Sequence, residues 1–199
     1  VVGGVVDTLT IRQITTNGGN FLPSWSPDGA WIAYDRRYCD LGGGDADTTC
    51  GVFVMRPDGS DSEFLARGGY PVWSPDGSSL AFALHGEVYS ADFPNASNVI
   101  ALTTFHTFFD PPPAVGALSY SPDGSTILVE VRTSPRSTIW TIPSSGGLPT
   151  RMAVGEWPSW SPSGQFMAFI AKGDADPEKN GTVWLFDSDT EQAEQFTRR

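Results

Sequence analysis

The sequence predicts an all-β protein assembled from four copies of one four-stranded antiparallel sheet. Three observations carry that expectation: a twelve-residue phrase recurs in register, its copies are evenly spaced, and each is followed by two further β-type segments. The copies read "PSWSPDGAWIAY" at 23–34, "PVWSPDGSSLAF" at 71–82, "LSYSPDGSTILV" at 118–129 and "PSWSPSGQFMAF" at 158–169. Asp28, Asp76, Asp123 and Ser163 mark equivalent positions, 48, 47 and 40 residues apart.

Each element has a physical reason. An aromatic residue (Trp25, Trp73, Tyr120, Trp160) ends a first strand, and Ser-Pro-Asp-Gly then prescribes a turn. Proline presets φ, aspartate bonds to nearby backbone, and glycine takes a positive φ. The second strand follows with alternating apolar positions, Ile32 and Tyr34, Leu80 and Phe82, Ile127 and Val129, Met167 and Phe169. Third strands are expected at 51–55, 87–91, 138–142 and 182–186, and fourth strands at 62–66, 99–103, 149–153 and 193–197. These segments are rich in β-branched and aromatic residues and are bounded by Gly, Asp, Ser and Pro, the strand signature. No segment has a sustained helical period.

Four short antiparallel strands in a repeat of about 40–50 residues describe a β-propeller blade. A single four-stranded sheet cannot bury both faces, so blades stack around an axis and cover one another. The expected fold is thus an all-β propeller, one domain over 1–199, with blades near 22–66, 70–104, 117–153 and 157–197. Residues 8–16, "TLTIRQITT", match a fourth strand without its three sisters and are expected to be the outer strand of a partial blade. The aromatic of each phrase is large enough to wedge between neighbouring blades. Ser26, Asp28 and their equivalents read as turn residues, because four copies of one hinge suit a repeat fold and four copies of one catalytic site do not.

The phrase P-x-W-S-P-D-G-x-x-[IL]-A-[FY], with "MRPDG" at 55–59, resembles the TolB-type propeller repeat, and the resemblance covers about residues 11–199. It implies the propeller fold and partner binding at one face of the ring. It carries over no specific contact residues. Rings of this type usually have six or seven blades, so the resemblance also implies a fragment of a longer chain, an association of copies, or an unusually small ring.

Composition limits the functions available. Lys and Arg number 12 against 23 Asp and Glu, a net charge of −11, so a phosphate-binding surface for nucleic acid is not expected. No apolar run is long enough to span a membrane. Cys39 and Cys50 flank a loop between two expected antiparallel strands, so a disulfide is expected, and with it an oxidising compartment. Sequons at Asn95 and Asn180 fit that periplasmic or extracellular location. No signal peptide is visible at "VVGGVV".

Chemistry-bearing residues are few. His85 is expected in a hairpin turn and His106 in a long loop, and neither reads as a general base. No Gly-x-Ser-x-Gly elbow or phosphate-cradling loop occurs. Two acidic loops stand out, with Asp40, Asp45 and Asp47 in one and Asp174, Asp176, Glu178 and Asn180 in the other. Counted from Asp176, oxygen side chains fall at positions 1, 3, 5 and 12, with Gly181 at position 6 and Asp187 last, an echo of a calcium loop. No cofactor is expected other than calcium at this loop. The loop "FHTFFDPPPAVGA" at 105–117 offers Phe105, His106, Phe108 and Phe109 as a partner-binding face or as a cap on the blade core.

The function expected is a non-catalytic, extracytoplasmic scaffold that binds a protein or peptide. The alternatives are the propeller portion of a larger prolyl-oligopeptidase-like peptidase and a structural subunit of an extracellular assembly, possible as a homo-oligomer.

Overall fold

The computed structural model describes residues 12–16, 18–36, 51–171, 181–190 and 192–195. Fifteen strands account for most of them, all paired antiparallel. The first set is β1 (Asn20–Trp25), β2 (Ile32–Arg36), β3 (Gly51–Met55) and β4 (Glu63–Ala66). The second is β5 (Gly69–Trp73), β6 (Ser79–Leu84), β7 (Glu87–Asp92) and the two-residue β8 (Ile100–Ala101). A 3-10 turn at Phe105–Thr107 leads into β9 (Ala114–Tyr120), β10 (Thr126–Arg132) and β11 (Ser137–Pro143). Then come β12 (Thr150–Trp160), β13 (Phe166–Ala171), β14 (Thr182–Asp187) and β15 (Gln192–Gln195).

Hydrogen bonding joins β9 to β15 into one seven-stranded sheet beside the two four-stranded ones. The cause is β12. Thr150–Val154 pairs with β11, and Gly155–Trp160 pairs with β13, so one strand serves two sets. The sequence reading placed a boundary between 153 and 157. Gly155 in "RMAVGEW" does not take a positive φ and makes no turn, so the chain bends at a bulge between Glu156 and Ser159 without breaking.

The recurrent Ser-Pro-Asp-Gly is a self-contained turn. Ser26 Oγ donates to Asp28 Oδ1 at 2.6 Å, Ala30 N donates to the same oxygen at 3.0 Å, and Trp31 N donates to Ser26 Oγ at 2.9 Å. Ser74–Asp76 and Ser121–Asp123 repeat the 2.6 Å bond. In the fourth copy Ser163 replaces the acid, and its hydroxyl lies 3.0 Å from that of Ser161. The serine hydroxyl beside each carboxylate, followed by a backbone N–H, holds Asp28, Asp76 and Asp123 below the ordinary carboxylate pKa. These groups are spent on the turn. Successive turns also stack: a Cβ added at Gly77, Gly124 or Gly164 would lie 3.5–3.6 Å from Pro27, Pro75 or Pro122 of the preceding copy.

The core lies between consecutive sets. Trp73, Leu80 and Phe82 pack against Ala33, Val52 and Val54, while Ile127 and Val129 pack against Ala81, Ala83 and Val88. Met167 and Phe169 do the same against Leu128 and Ile139. The eight alternating apolar positions read from the sequence are all buried. Trp73 Nε1 donates to Ser24 O at 3.0 Å, so the aromatic is a wedge that also hydrogen-bonds its neighbour. Trp25, at the outer face of the first set, is 58% exposed.

Residues 12–16 carry no strand, unlike the outer strand expected over 8–16; residues 8–11 lie outside the described residues. The segment nevertheless covers the first set, with Ile14 against Ile32, Tyr34, Phe53 and Met55, and Arg12 donating to Pro57 O. Without sister strands its backbone has no ladder to join. Cys39, Cys50, Asp40, Asp45, Asp47, Asp174, Asp176, Glu178 and Asn180 also lie outside the described residues, so the expected disulfide and calcium loop do too. Among the described residues no cluster of metal-binding side chains occurs, and no helix is long and apolar enough to cross a membrane.

Candidate functional site

The first strands β1, β5, β9 and β12 lie innermost and line an axial cavity of about 220 Å³. Its walls are Leu22, Pro23 and Ser24, then Tyr70, Pro71 and Val72, with Ala117, Leu118 and Trp157 completing them. Leu22, Tyr70 and Trp157 hold equivalent places, each directly before a proline and each at φ near +50° (50°, 55° and 54°). At all three the strand register shifts by a bulge. Proline cannot donate to the ladder, so the strand yields there, and the bulge re-aims the preceding side chain toward the axis. Non-glycine residues at positive φ are strained and cluster where surrounding structure imposes them for a purpose.

Arg132 stands beside this cavity, against the rings of Tyr70 and Trp157. It shares one face of β10 with Glu130, two residues before it. Arg132 Nε donates to Glu130 Oε1 at 2.8 Å, Nη2 to Glu130 Oε2 at 3.3 Å, and Nη1 to the Tyr70 hydroxyl at 2.7 Å. Glu130 is fully buried, and Ala117 N also donates to it. Burial alone would lower the Arg132 pKa, but the bonds to Glu130 and Tyr70 outweigh it and hold the guanidinium charged. The guanidinium lies 5.1 Å from the Tyr70 ring centre and 5.8 Å from that of Trp157. A Cβ on Gly116 would come within 2.7 Å of three guanidinium atoms, so glycine there is what lets the group lie flat on the backbone. Trp157 is 50% exposed.

Asp35 supports the site from behind. It stands three residues after Ile32, as Glu130 does after Ile127, and is buried. Its Oδ2 accepts from Tyr70 N at 3.3 Å, and its Oδ1 has no hydrogen-bond partner. Burial pushes its carboxyl pKa up to about 6, against the lowering effect of that one bond.

The loop 105–113 borders a second cavity of about 490 Å³, lined by Phe109, Asp110 and three prolines together with Arg132, Thr133 and Ser134. Arg132 thus stands between the two cavities. Of the four loop residues expected to meet a partner, Phe105 is wholly buried and Phe109 half-buried, both packed with Trp140 in a three-ring cluster. Phe108 is 53% exposed and His106 is exposed. Glu87 anchors the loop: Thr103 Oγ1, Phe105 N and His106 N donate to it, and His106 Nδ1 lies 2.8 Å from its Oε1. Burial would raise the Glu87 pKa, but these four bonds bring it below the ordinary range. The carboxylate stands between hydroxyl and imidazole, so His106 does not activate Thr103 as in a nucleophile–base–acid relay.

Sequence reasoning missed Tyr70, Trp157, Glu130 and Arg132. Two signals were present: a proline inside three first strands, which marks a bulge, and two opposite charges at i and i+2 in the otherwise apolar "TILVEVR".

Compared by sequence, the chain matches no protein-family model and no curated protein. Compared by structure, it is similar to TolB from Acinetobacter baumannii, with a TM-score of 0.67 and 20% identity over 89% of this chain and 43% of that one. The fold is that of a TolB-like β-propeller. A chain of a nidogen/laminin complex gives 0.63 and 13% over 94% and 66%, and a puromycin hydrolase gives 0.61 and 19% over 89% and 28%. The chain therefore spans under two thirds of the length of each of these propeller proteins.

Proposed function

We propose that this chain is a non-catalytic, extracytoplasmic scaffold of four propeller blades plus part of another, and that it receives a segment of a protein or peptide at the axial cavity. One observation carries the reading. All four first strands contribute to one cavity and all four are bulged, and in three of them Leu22, Tyr70 and Trp157 stand at positive φ and line it. Strain repeated at equivalent places is held there by the surrounding structure for a purpose, and the half-exposed Trp157 keeps this wall open even though Tyr70 joins the core and Leu22, Val72 and Leu118 pack against it. The likeness to TolB and to a chain of a nidogen/laminin complex supports a protein partner, and the net charge of −11 argues against nucleic acid.

The test is panning of a random linear peptide library against the 199-residue chain. Enriched peptides that lose binding to Leu22→Ala and Trp157→Ala variants, and that stay intact on incubation, support the scaffold. An absence of enrichment, or enrichment indifferent to both variants, sinks it. The rival reading, the propeller portion of a larger peptidase, is motivated by the likeness to a puromycin hydrolase, and a Gly-x-Ser-x-Gly elbow in sequence beyond residue 199 would favour it.

A further inference from the structure

We infer that the rim of the axial cavity recognises a carboxylate carried beside an apolar side chain, with Arg132 as the specificity residue. The inference rests on the scaffold reading and names the chemistry of its ligand. A guanidinium has five N–H groups. Three donate, to Glu130 Oε1, Glu130 Oε2 and Tyr70 Oη, which leaves two, one on each terminal nitrogen. The Arg132 side chain is 34% exposed, lines the cavity of about 490 Å³, and lies against the Tyr70 and Trp157 rings of the axial one.

The guanidinium is built in place. Glu130 fixes one edge, Tyr70 one terminal nitrogen, and the bare backbone of Gly116 one flat side. A pre-positioned guanidinium loses little freedom on binding, and its remaining N–H groups make charge-assisted hydrogen bonds to a carboxylate. Glu130 offsets the Arg132 charge, so a singly charged carboxylate suits the rim better than a phosphate, which needs more than one cation. Beside the guanidinium, Leu22, Leu118 and the exposed face of Trp157 offer a pocket of about 220 Å³ for one apolar side chain. A peptide C-terminus ending in a large apolar residue has both parts. An internal Asp or Glu next to such a residue has the same chemistry.

Three probes separate the sources: acetyl-Ala-Ala-Leu-Phe with a free C-terminus, its C-terminal amide, and the amide with Glu in place of Leu. Binding to the full chain is measured by isothermal titration. The free acid is expected to bind about ten- to a hundredfold more tightly than the amide, the range of a charge-assisted hydrogen-bonded pair. If the Glu-containing amide recovers that affinity, the source includes internal carboxylates; if it does not, the site reads C-termini. The preference should vanish in the Glu130→Gln/Arg132→Gln double variant, which removes both charges without stranding a buried carboxylate. It should also vanish in Gly116→Ala, where the added methyl displaces the guanidinium while leaving it in the chain. Equal binding of acid and amide, or a preference that survives both variants, overturns the inference while the panning result keeps the scaffold standing. Binding of none of the three probes overturns it as well, and the panning experiment then decides separately whether the scaffold reading falls.

Discussion

Arg132 and Tyr70, 62 residues apart in sequence, meet at 2.7 Å across two neighbouring blades, the guanidinium donating to the phenol oxygen. Asp35 accepts from the backbone N–H of the same tyrosine at 3.3 Å, so Tyr70 is held at both ends by charged residues of the blades on either side. That grip is what maintains a non-glycine residue at φ 55°. Tyr70→Phe keeps the ring and loses the phenol bond. It should lower stability by about 1–2 kcal/mol in urea titration. Unchanged stability would mean that the bond is not made in solution.

Asp35 sets a pH dependence of unusual sign. Its folded pKa of about 6 lies above the unfolded value of about 3.9, so the folded chain binds this proton more tightly. The resulting stabilisation is complete below about pH 4, declines as the pH rises to about 6, and is absent above that. A shift of about two units corresponds to an effect on the order of 3 kcal/mol. Asp35→Asn should flatten this part of the stability profile and raise the melting temperature at pH 7.5. A parallel profile for wild type and variant would show that Asp35 titrates normally.

Glu87 behaves oppositely. Its pKa is held below the ordinary value, so its contribution is present above the unfolded pKa and disappears as the pH falls through the lower folded one. Glu87→Gln puts an amide among donors that need acceptors and should cost about 2–3 kcal/mol. Hydrogen exchange at the amides of Phe105 and His106 should accelerate selectively, since both donate to this carboxylate. Uniform acceleration across the chain would argue against a local anchor.

Trp73 and Trp25 occupy the same place in the repeat and should respond differently to truncation. Trp73 is buried between blades and donates to Ser24 O, whereas Trp25 is 58% exposed. Trp73→Ala should cost about 3–5 kcal/mol and Trp25→Ala under about 1 kcal/mol. Equal costs in chemical denaturation would mean that Trp25 is covered in solution, and a measured mass of twice the chain would identify a second copy as the cover.

The repeat was legible because its physics is local. A Ser-Pro-Asp-Gly turn satisfies itself within five residues, and the period-two apolar pattern that follows has one way to face inward, so Ile32, Leu80, Ile127 and Met167 could be placed in the core from the sequence alone. Third strands were legible for the same reason. The two-residue β8 and the shared strand β12 were not, because where a strand ends depends on what pairs with it, and the uninterrupted "RMAVGEW" finds partners in two blades. The site was least legible. Phe105 and Phe108 look alike in a loop, and only the Glu87 carboxylate, arriving from another strand, decides that one is core and the other faces water. Tyr70, Glu130, Arg132 and Trp157 come from three different strands, and their convergence is a property of the stacked blades, since distances between blades are set by how they pack and not by any spacing along the chain.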